Sequence, residues 1–417
     1  MIIGDNMRGV HLKGSKKNLT SLKSYMKPNM IYIPLDSNKD YIIYVKKNDY
    51  VYKGTLVAKT KGKFTQNLYS SVSGFVENID MIDHVKSIII KNDFKEKIEK
   101  KIEVKKDITK YTKSEFIELL KEQGIVGMGG AGFPTYVKYE AENLKTLIVN
   151  AVECEPYITS DYSLANDRIE EILFGIDAIM EINHLEEAYI AIKKNNKGLK
   201  KIIETYLGTY VKIKVVEVPN LYPMGWERDV VKVVKKVTYD KLPSEQGIVV
   251  NNISTIYAIY QALKFHKPLI ERVITVTGNM VKNPCNILVK IGTSVEEVIS
   301  QISLKRNEEV SLYLGGPMMG QPGNLHSIIT ANVNAVMIDS YQKEEEKPCL
   351  RCSKCVQNCP AFIEPVLIKD SITNKEELQK LHPEQCIECG ICSYICPAHI
   401  RLRDRVIEAK EAIRRKS

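Results

Sequence analysis

Two cysteine runs near the end of this sequence constrain it more than anything else in it. The first reads Cys349-Leu350-Arg351-Cys352-Ser353-Lys354-Cys355-Val356-Gln357-Asn358-Cys359-Pro360. The second reads Cys386-Ile387-Glu388-Cys389-Gly390-Ile391-Cys392-Ser393-Tyr394-Ile395-Cys396-Pro397. Both follow C-x2-C-x2-C-x3-C-P, and thiolates this dense suit an iron–sulfur cube, which needs four around it. Structural zinc takes its cysteines in spaced pairs and gives no reason for a third at the same gap. Disulfides suit small secreted domains, but Met1–Gly14 lacks the apolar core of a secretory signal and contains Asp5 and Arg8.

The doubled spacing resembles that of bacterial two-cluster ferredoxins, in which the fourth cysteine of each run ligates the other cube. That resemblance implies one [4Fe-4S] cluster on Cys349, Cys352, Cys355 and Cys396. It implies a second on Cys386, Cys389, Cys392 and Cys359. Of the ten cysteines only Cys154 and Cys285 remain, a usage that suits a reducing compartment.

At 417 residues the chain has room for about three or four domains. The net charge of +9 is spread along the chain without a basic tail, and no nucleic-acid motif accompanies it, which argues against nucleic acid as a partner. No apolar run approaches the roughly 20 residues that span a bilayer. The expected location is the cytoplasm, or the cytoplasmic face of a membrane reached through partners.

From about Pro28 to Asp93, short β-type runs alternate with turn signals. Strands are expected at Ile31–Pro34, Tyr41–Val45, Tyr50–Lys53, Leu56–Lys59 and Phe75–Ile79. The segment Val45–Gly54, followed by Val72–Val76, resembles the two halves of a biotinyl/lipoyl-type barrel-sandwich domain without an evident attachment lysine. The Lys/Glu-rich stretch Lys91–Lys106 reads as a linker. A helix is expected over Lys113–Gln123, with Phe116, Ile117, Leu119 and Leu120 on its buried stripe. It leads into Gly127-Met128-Gly129-Gly130-Ala131-Gly132-Phe133-Pro134-Thr135, whose glycines free the backbone to turn tightly and approach a phosphate. Lys138 follows, and the expected strand Leu147–Val149 runs into Asn150-Ala151-Val152-Glu153-Cys154-Glu155-Pro156.

This loop and the Asn-Ala-x-Glu-x-Glu-Pro element resemble the flavin and NADH site of the 51-kDa subunit of respiratory complex I. They are more similar still to the RnfC family of the Rnf ferredoxin:NAD oxidoreductases and its soluble relatives. The resemblance implies that Gly127, Gly129, Gly130 and Lys138 hold the phosphate and ribityl part of FMN, with Asn150, Glu153 and Glu155 near the flavin ring and nicotinamide. Glu227, in Tyr222-Pro223-Met224-Gly225-Trp226-Glu227-Arg228, would sit beside the dinucleotide. The intervening βα rhythm supports a parallel three-layer sheet, with helices expected at Arg168–Ile182, Lys197–Leu207 and Ser254–Leu263. Val273–Gly278, Asn283–Asn286 and Val289–Thr293 resemble the SLBB β-grasp module of the same relatives. Gly315-Gly316-Pro317-Met318-Met319-Gly320 is another mark of the family, without an evident chemical role in the sequence.

The expected architecture is therefore an α/β multidomain chain. It comprises a barrel-sandwich domain (1–100), a 51-kDa-like FMN/NADH-binding α/β domain (107–268), an SLBB β-grasp domain (269–335) and a helical ferredoxin-like 2[4Fe-4S] domain (341–417). Hydride donors deliver electrons in pairs and clusters accept them singly; a flavin exchanges both ways. The implied route is NADH to FMN, then the first cluster, the second cluster and a protein partner. The Met-Gly-Trp-Glu-Arg element, the Gly9–Leu12 segment and the end at Ser417 look more like the electron-transfer protein associated with proline reductase. Alternative readings are the membrane-associated Rnf component itself, a cobalamin reductase, or a passive iron–sulfur wire. Cys285, in a turn-forming Asn-Pro-Cys-Asn context, is expected to expose its thiol and is a candidate redox contact for the partner.

Overall fold

The computed structural model describes residues 7–12, 22–23, 27–99, 107–305, 309–341 and 345–414. The architecture is organised about a four-stranded parallel sheet. Its spatial order is Ile213–Val218, Glu187–Lys193, Thr146–Asn150 and Ile248–Asn252. Thr146–Asn150 is buried up to Val149 and reads as a continuous apolar run, as a central parallel strand should. Helices cover both faces. Ser160–Ile182 packs against Ile253–Phe265 on one side, while Glu227–Lys235 closes the other with Val230 and Val231. The long helix begins eight residues before the expected Arg168, where the backbone departs from helical geometry (φ −133°). Helix Lys113–Glu122 starts with a capping box between Thr112 and Glu115, which satisfies two otherwise orphaned donors.

Residues 30–92 form two facing antiparallel sheets around Ile31, Val51, Val57, Val76, Ile88 and Ile90. Two strands absent from the expectation, Asn67–Tyr69 and Val85–Asn92, complete them. In the second, Ile88–Ile90 is an unbroken apolar run, so period-two alternation could not reveal it. The expected linker therefore overlaps a strand up to Asn92, and residues 100–106 of it lie outside the described residues. The tip of the Gly74–Ile82/Val85–Asn92 hairpin reaches the large cavity of the α/β domain.

The β-grasp sheet runs in the order Leu22–Lys23, Cys285–Lys290, Glu271–Thr277, Ala335–Ser340, Val310–Leu314 and Gln321–Gly323. The expectation for Cys285 fails here. The turn ends before it: Cys285 pairs with Val276, is 4% exposed, and packs in the module's apolar core. Replacing Cys285 by serine should leave every electron-transfer rate near wild type while lowering the melting temperature, because the hydroxyl gains no comparable packing. Residues 345–414 are helical, ending in Leu402–Arg414, with short helices at Lys354–Gln357 and Ile391–Tyr394 beginning inside the cysteine runs.

Candidate functional site

The carboxyl ends of parallel strands leave a crevice in α/β folds, and here it is a cavity of about 870 Å³. Gly127, Gly129, Gly130, Lys138, Asn150, Glu153, Glu155 and Glu227 all line it. The glycine loop is pinned at its base by Gly127 N donating to the Phe133 carbonyl (2.8 Å) and Thr135 N to that of Ile125 (3.0 Å). A Cβ on Gly129 would lie 2.8 Å from Asn252, so this glycine is required by packing. A Cβ on Gly130 would meet nothing within 4 Å. The open part of the cradle is therefore at Gly130. Beneath the loop lies Arg272, 2% exposed, its guanidinium held by the carbonyls of Ala331 and Met128. Burial lowers its pKa to about 10, still a cation at neutral pH. The open backbone at Gly130, with a fixed positive charge behind the loop, suits an anion.

The polar side chains divide by partner. Lys138 Nζ donates to the Val250 carbonyl (2.8 Å) and lies 3.5 Å from Glu227 Oε2. Asn150 Nδ2 donates to the Gly225 carbonyl (2.9 Å). Glu153 Oε1 accepts from Asp161 N (2.8 Å) at the start of helix Ser160–Ile182. Glu155, 8% exposed, accepts from the amides of Met319 (2.6 Å) and Met318 (3.2 Å). Asp161 and Asn252 also line the cavity, and Asp161 accepts from Asn252 Nδ2 (2.7 Å) and Ser254 Oγ (2.6 Å). The sequence reading missed both. The Asn251-Asn252 pair ahead of a helical stripe is the signal that could have marked Asn252 as a cap at a strand end.

The cysteines separate into two quartets. Cys349, Cys352, Cys355 and Cys396 line one cavity of about 250 Å³. Cys359, Cys386, Cys389 and Cys392 line a second, narrower one. Among the described residues no three His, Cys, Asp or Glu side chains close on a point as a single ion requires. The quartets instead surround space, and an all-thiolate donor set of this kind fits a [4Fe-4S] cube. Burial pushes the Cys389 thiol up to about 12, and Cys392 higher, so thiolates there need the positive charge of iron.

Cys389 and Ile387 also form part of the wall of the large cavity. The quartet built mainly from the second run is thus the inner one, next to the glycine-loop cavity. The quartet built mainly from the first run is the outer one, where Cys352 and Leu350 are exposed. The route expected from the sequence ran to a first cluster and then a second; here the quartet nearest the glycine-loop cavity is the one built mainly from the second run.

The Gly315–Gly320 turn gains a role from the same contacts. A Cβ on Gly316 would lie 2.4 Å from Glu155 Oε2, and one on Gly320 would lie 2.3 Å from the Gly316 carbonyl. On the turn's other side a Cβ on Gly390 would lie 2.3 Å from the Met318 carbonyl. Glycines at these points allow the β-grasp turn to sit between Glu155 and the inner cysteine loop. Tyr222, 1% exposed, donates to the Cys389 carbonyl (2.7 Å) and pairs through its backbone with Val10. Tyr222, Met318, Cys389 and Ile391 form an apolar seal at this junction.

Comparison with known proteins covers the same four modules. The family model for the RnfC barrel sandwich hybrid domain matches residues 5–95, and that for the Nuo51 FMN-binding domain matches 120–261. The SLBB domain model matches 273–322 and a 4Fe-4S dicluster domain model 333–400. The chain is 33% identical over 389 residues to the C component of the proton-translocating ferredoxin:NAD(+) oxidoreductase complex of Clostridium ljungdahlii, covering 89% of this chain and 84% of that protein. It is 34% identical over 381 residues to the C component of the ion-translocating oxidoreductase complex of Rhodobacter capsulatus, covering 86% and 73%. The Na(+)-translocating counterpart of Acetobacterium woodii is 29% identical over 360 residues, covering 82% and 81%. Among solved structures, an NAD+-reducing [NiFe]-hydrogenase in the H2-reduced state superposes with a TM-score of 0.51 at 15% identity, over 74% of this chain and 61% of that chain. That likeness concerns the fold alone.

Proposed function

Because the chain belongs to the RnfC family, the C components of the Rnf-type ion-translocating ferredoxin:NAD oxidoreductases, we propose that it carries electrons between NADH and a protein redox partner through FMN and two [4Fe-4S] clusters. The observation that carries this reading is the single cavity joining the glycine loop, the carboxylates and Cys389 of the inner quartet. When bound, FMN and the clusters supply the conversion between paired and single electrons. The chain's own residues bind, orient and seal. The backbone at Gly129–Gly130, where the loop opens onto the cavity with Arg272 behind it, would hold the phosphate of FMN, while Gly127 N and Met128 N are spent on the Phe133 carbonyl and Thr255 Oγ1 and fix the loop. Lys138 and Glu227 from helices and Asn150 from a strand end present polar atoms to the flavin and nicotinamide. Glu153 fixes the start of helix Ser160–Ile182. Glu155 acts as a positioning residue, holding the turn that carries Met318 against Gly390. Tyr222 and Met318 exclude water from the step between the flavin cavity and the inner quartet.

Other Rnf-type components are the partners that the relatives favour; proline reductase rests only on sequence features, the Met224–Arg228 element and the Gly9–Leu12 segment among them. Among the described residues no helix is long and apolar enough to cross a membrane. The ion-translocating relatives support attachment to a membrane assembly through such partners.

Gly130→Val tests the site. A Cβ there meets no protein atom within 4 Å, so the fold and the iron content should stay intact. FMN retained after gel filtration should fall at least about tenfold, about 1.4 kcal/mol of binding, and NADH-driven dye reduction with it. Wild-type flavin content in Gly130→Val would remove the glycine loop from the site.

A further inference from the structure

Arg403, at the start of helix Leu402–Arg414, lines the inner cysteine cavity together with its four cysteines. Its Nη1 donates to the Gly320 carbonyl (3.1 Å) and its Nη2 to that of Met319 (2.9 Å). Those two bonds tie the guanidinium to the β-grasp turn. Its Nε is buried and has no hydrogen-bond partner among the described residues. Two other cations of this helix are neutralised locally: Arg405 lies 3.7 Å from Glu408, and Lys410 lies 2.5 Å from Glu388 while donating to the Cys386 carbonyl (2.9 Å). Arg403 has no carboxylate partner among the described residues.

A buried donor in a folded protein is normally paired; apart from Glu388, whose carboxylate is taken by Lys410, the side-chain acceptors lining this cavity are the four cysteine sulfurs. The inner quartet is also the more enclosed one, with Cys359 and Cys389 each 8% exposed, while Cys352 of the outer quartet is exposed. Reducing a thiolate-held cube adds negative charge. Burial opposes that charge and lowers the potential, whereas hydrogen bonds to sulfur and nearby cations raise it. An enclosed cluster beside the flavin therefore needs compensation if it is to accept electrons first.

We propose that Arg403 provides it, with Nε–H donating to a sulfur of the inner cluster and its unpaired charge raising that cluster's reduction potential. The inference rests on the cluster reading above. It gives the β-grasp turn a part in tuning the cluster, because the turn's carbonyls hold the guanidinium.

The test is an EPR-monitored redox titration of anaerobically purified full-length protein. At the potential that half-reduces the wild-type inner cluster, Arg403→Gln should lower its reduced-to-oxidised ratio about tenfold, about 59 mV for one electron. The outer cluster should titrate as in wild type. Arg403→Lys keeps the charge and should recover most of the ratio. Glu388→Gln frees the Lys410 charge and should move the inner cluster the opposite way. Arg403→Gln with full iron and an unshifted inner cluster would overturn the proposal. If Arg403→Gln cannot hold the inner cluster, Glu388→Gln decides: a raised potential supports charge compensation, and an unchanged one makes Arg403 a structural clamp. Wild-type protein holding only about four iron per chain would overturn the cluster reading itself, and this inference with it.

Discussion

Cys392→Ser should leave flavin reduction by NADH near wild type and slow NADH-driven reduction of the outer cluster at least about 100-fold, equivalent to about 2.7 kcal/mol in the barrier. Cys392 lines the inner cavity with Cys359, Cys386 and Cys389 but is not part of the flavin cavity's wall. Its loss therefore removes the inner cluster without disturbing the cradle. The outer quartet borders a separate cavity at the exposed end of the domain, so electrons from the flavin have no other close relay. Cys352→Ser should do the reverse: the inner cluster is reduced at the wild-type rate, and electrons stop there. Cys359→Ser should injure the same cluster as Cys392→Ser although it belongs to the first run. Freeze-quench EPR alongside flavin absorbance reads all three. Loss of inner-cluster reduction in Cys352→Ser would restore the opposite order.

Gly390→Ala should lower iron from about eight to about four per chain while FMN stays bound. Gly390 has φ +78°, where an L-residue carries roughly 1–2 kcal/mol of strain. Its added Cβ would also stand 2.3 Å from the Met318 carbonyl, a backbone atom that cannot rotate aside. The turn bearing Met318 is itself held by Glu155 and Arg403, so the cysteine loop must give way. Gly62→Ala is the matched control: φ is +108° but nothing lies within 4 Å, so strain is present without a collision. Full iron and an unchanged melting temperature in Gly390→Ala would contradict this junction.

The parts legible in the sequence were those governed by local chemistry. The resemblance carried by the cysteine spacing groups the cysteines as the two cavities do, and the apolar run Leu147–Val149 marked the central strand. The residues expected at the site converge because strand ends, the loops after them and the starts of short helices meet at one edge of the parallel sheet. What could not be read depends on contacts between distant segments. The order of the two clusters follows from Cys389 packing against Tyr222 and Met318, a contact that run order along the chain does not encode. Glu155 looked like a ligand to nicotinamide, yet its carboxylate is taken by amides more than 160 residues away. Gly129 looked like phosphate space and is required by Asn252. Cys285 was misplaced by the proline before it, since the strand starts at the cysteine itself.

The most direct measurement is a stepwise anaerobic titration of the full-length protein with NADH, following flavin and cluster absorbance together with iron content. With one FMN and two clusters, uptake should saturate near four electrons per chain, or about two NADH, with flavin bleaching and about eight iron present. A protein that holds about eight iron but neither contains flavin nor accepts electrons from NADH would contradict the proposed function and leave a passive iron–sulfur wire.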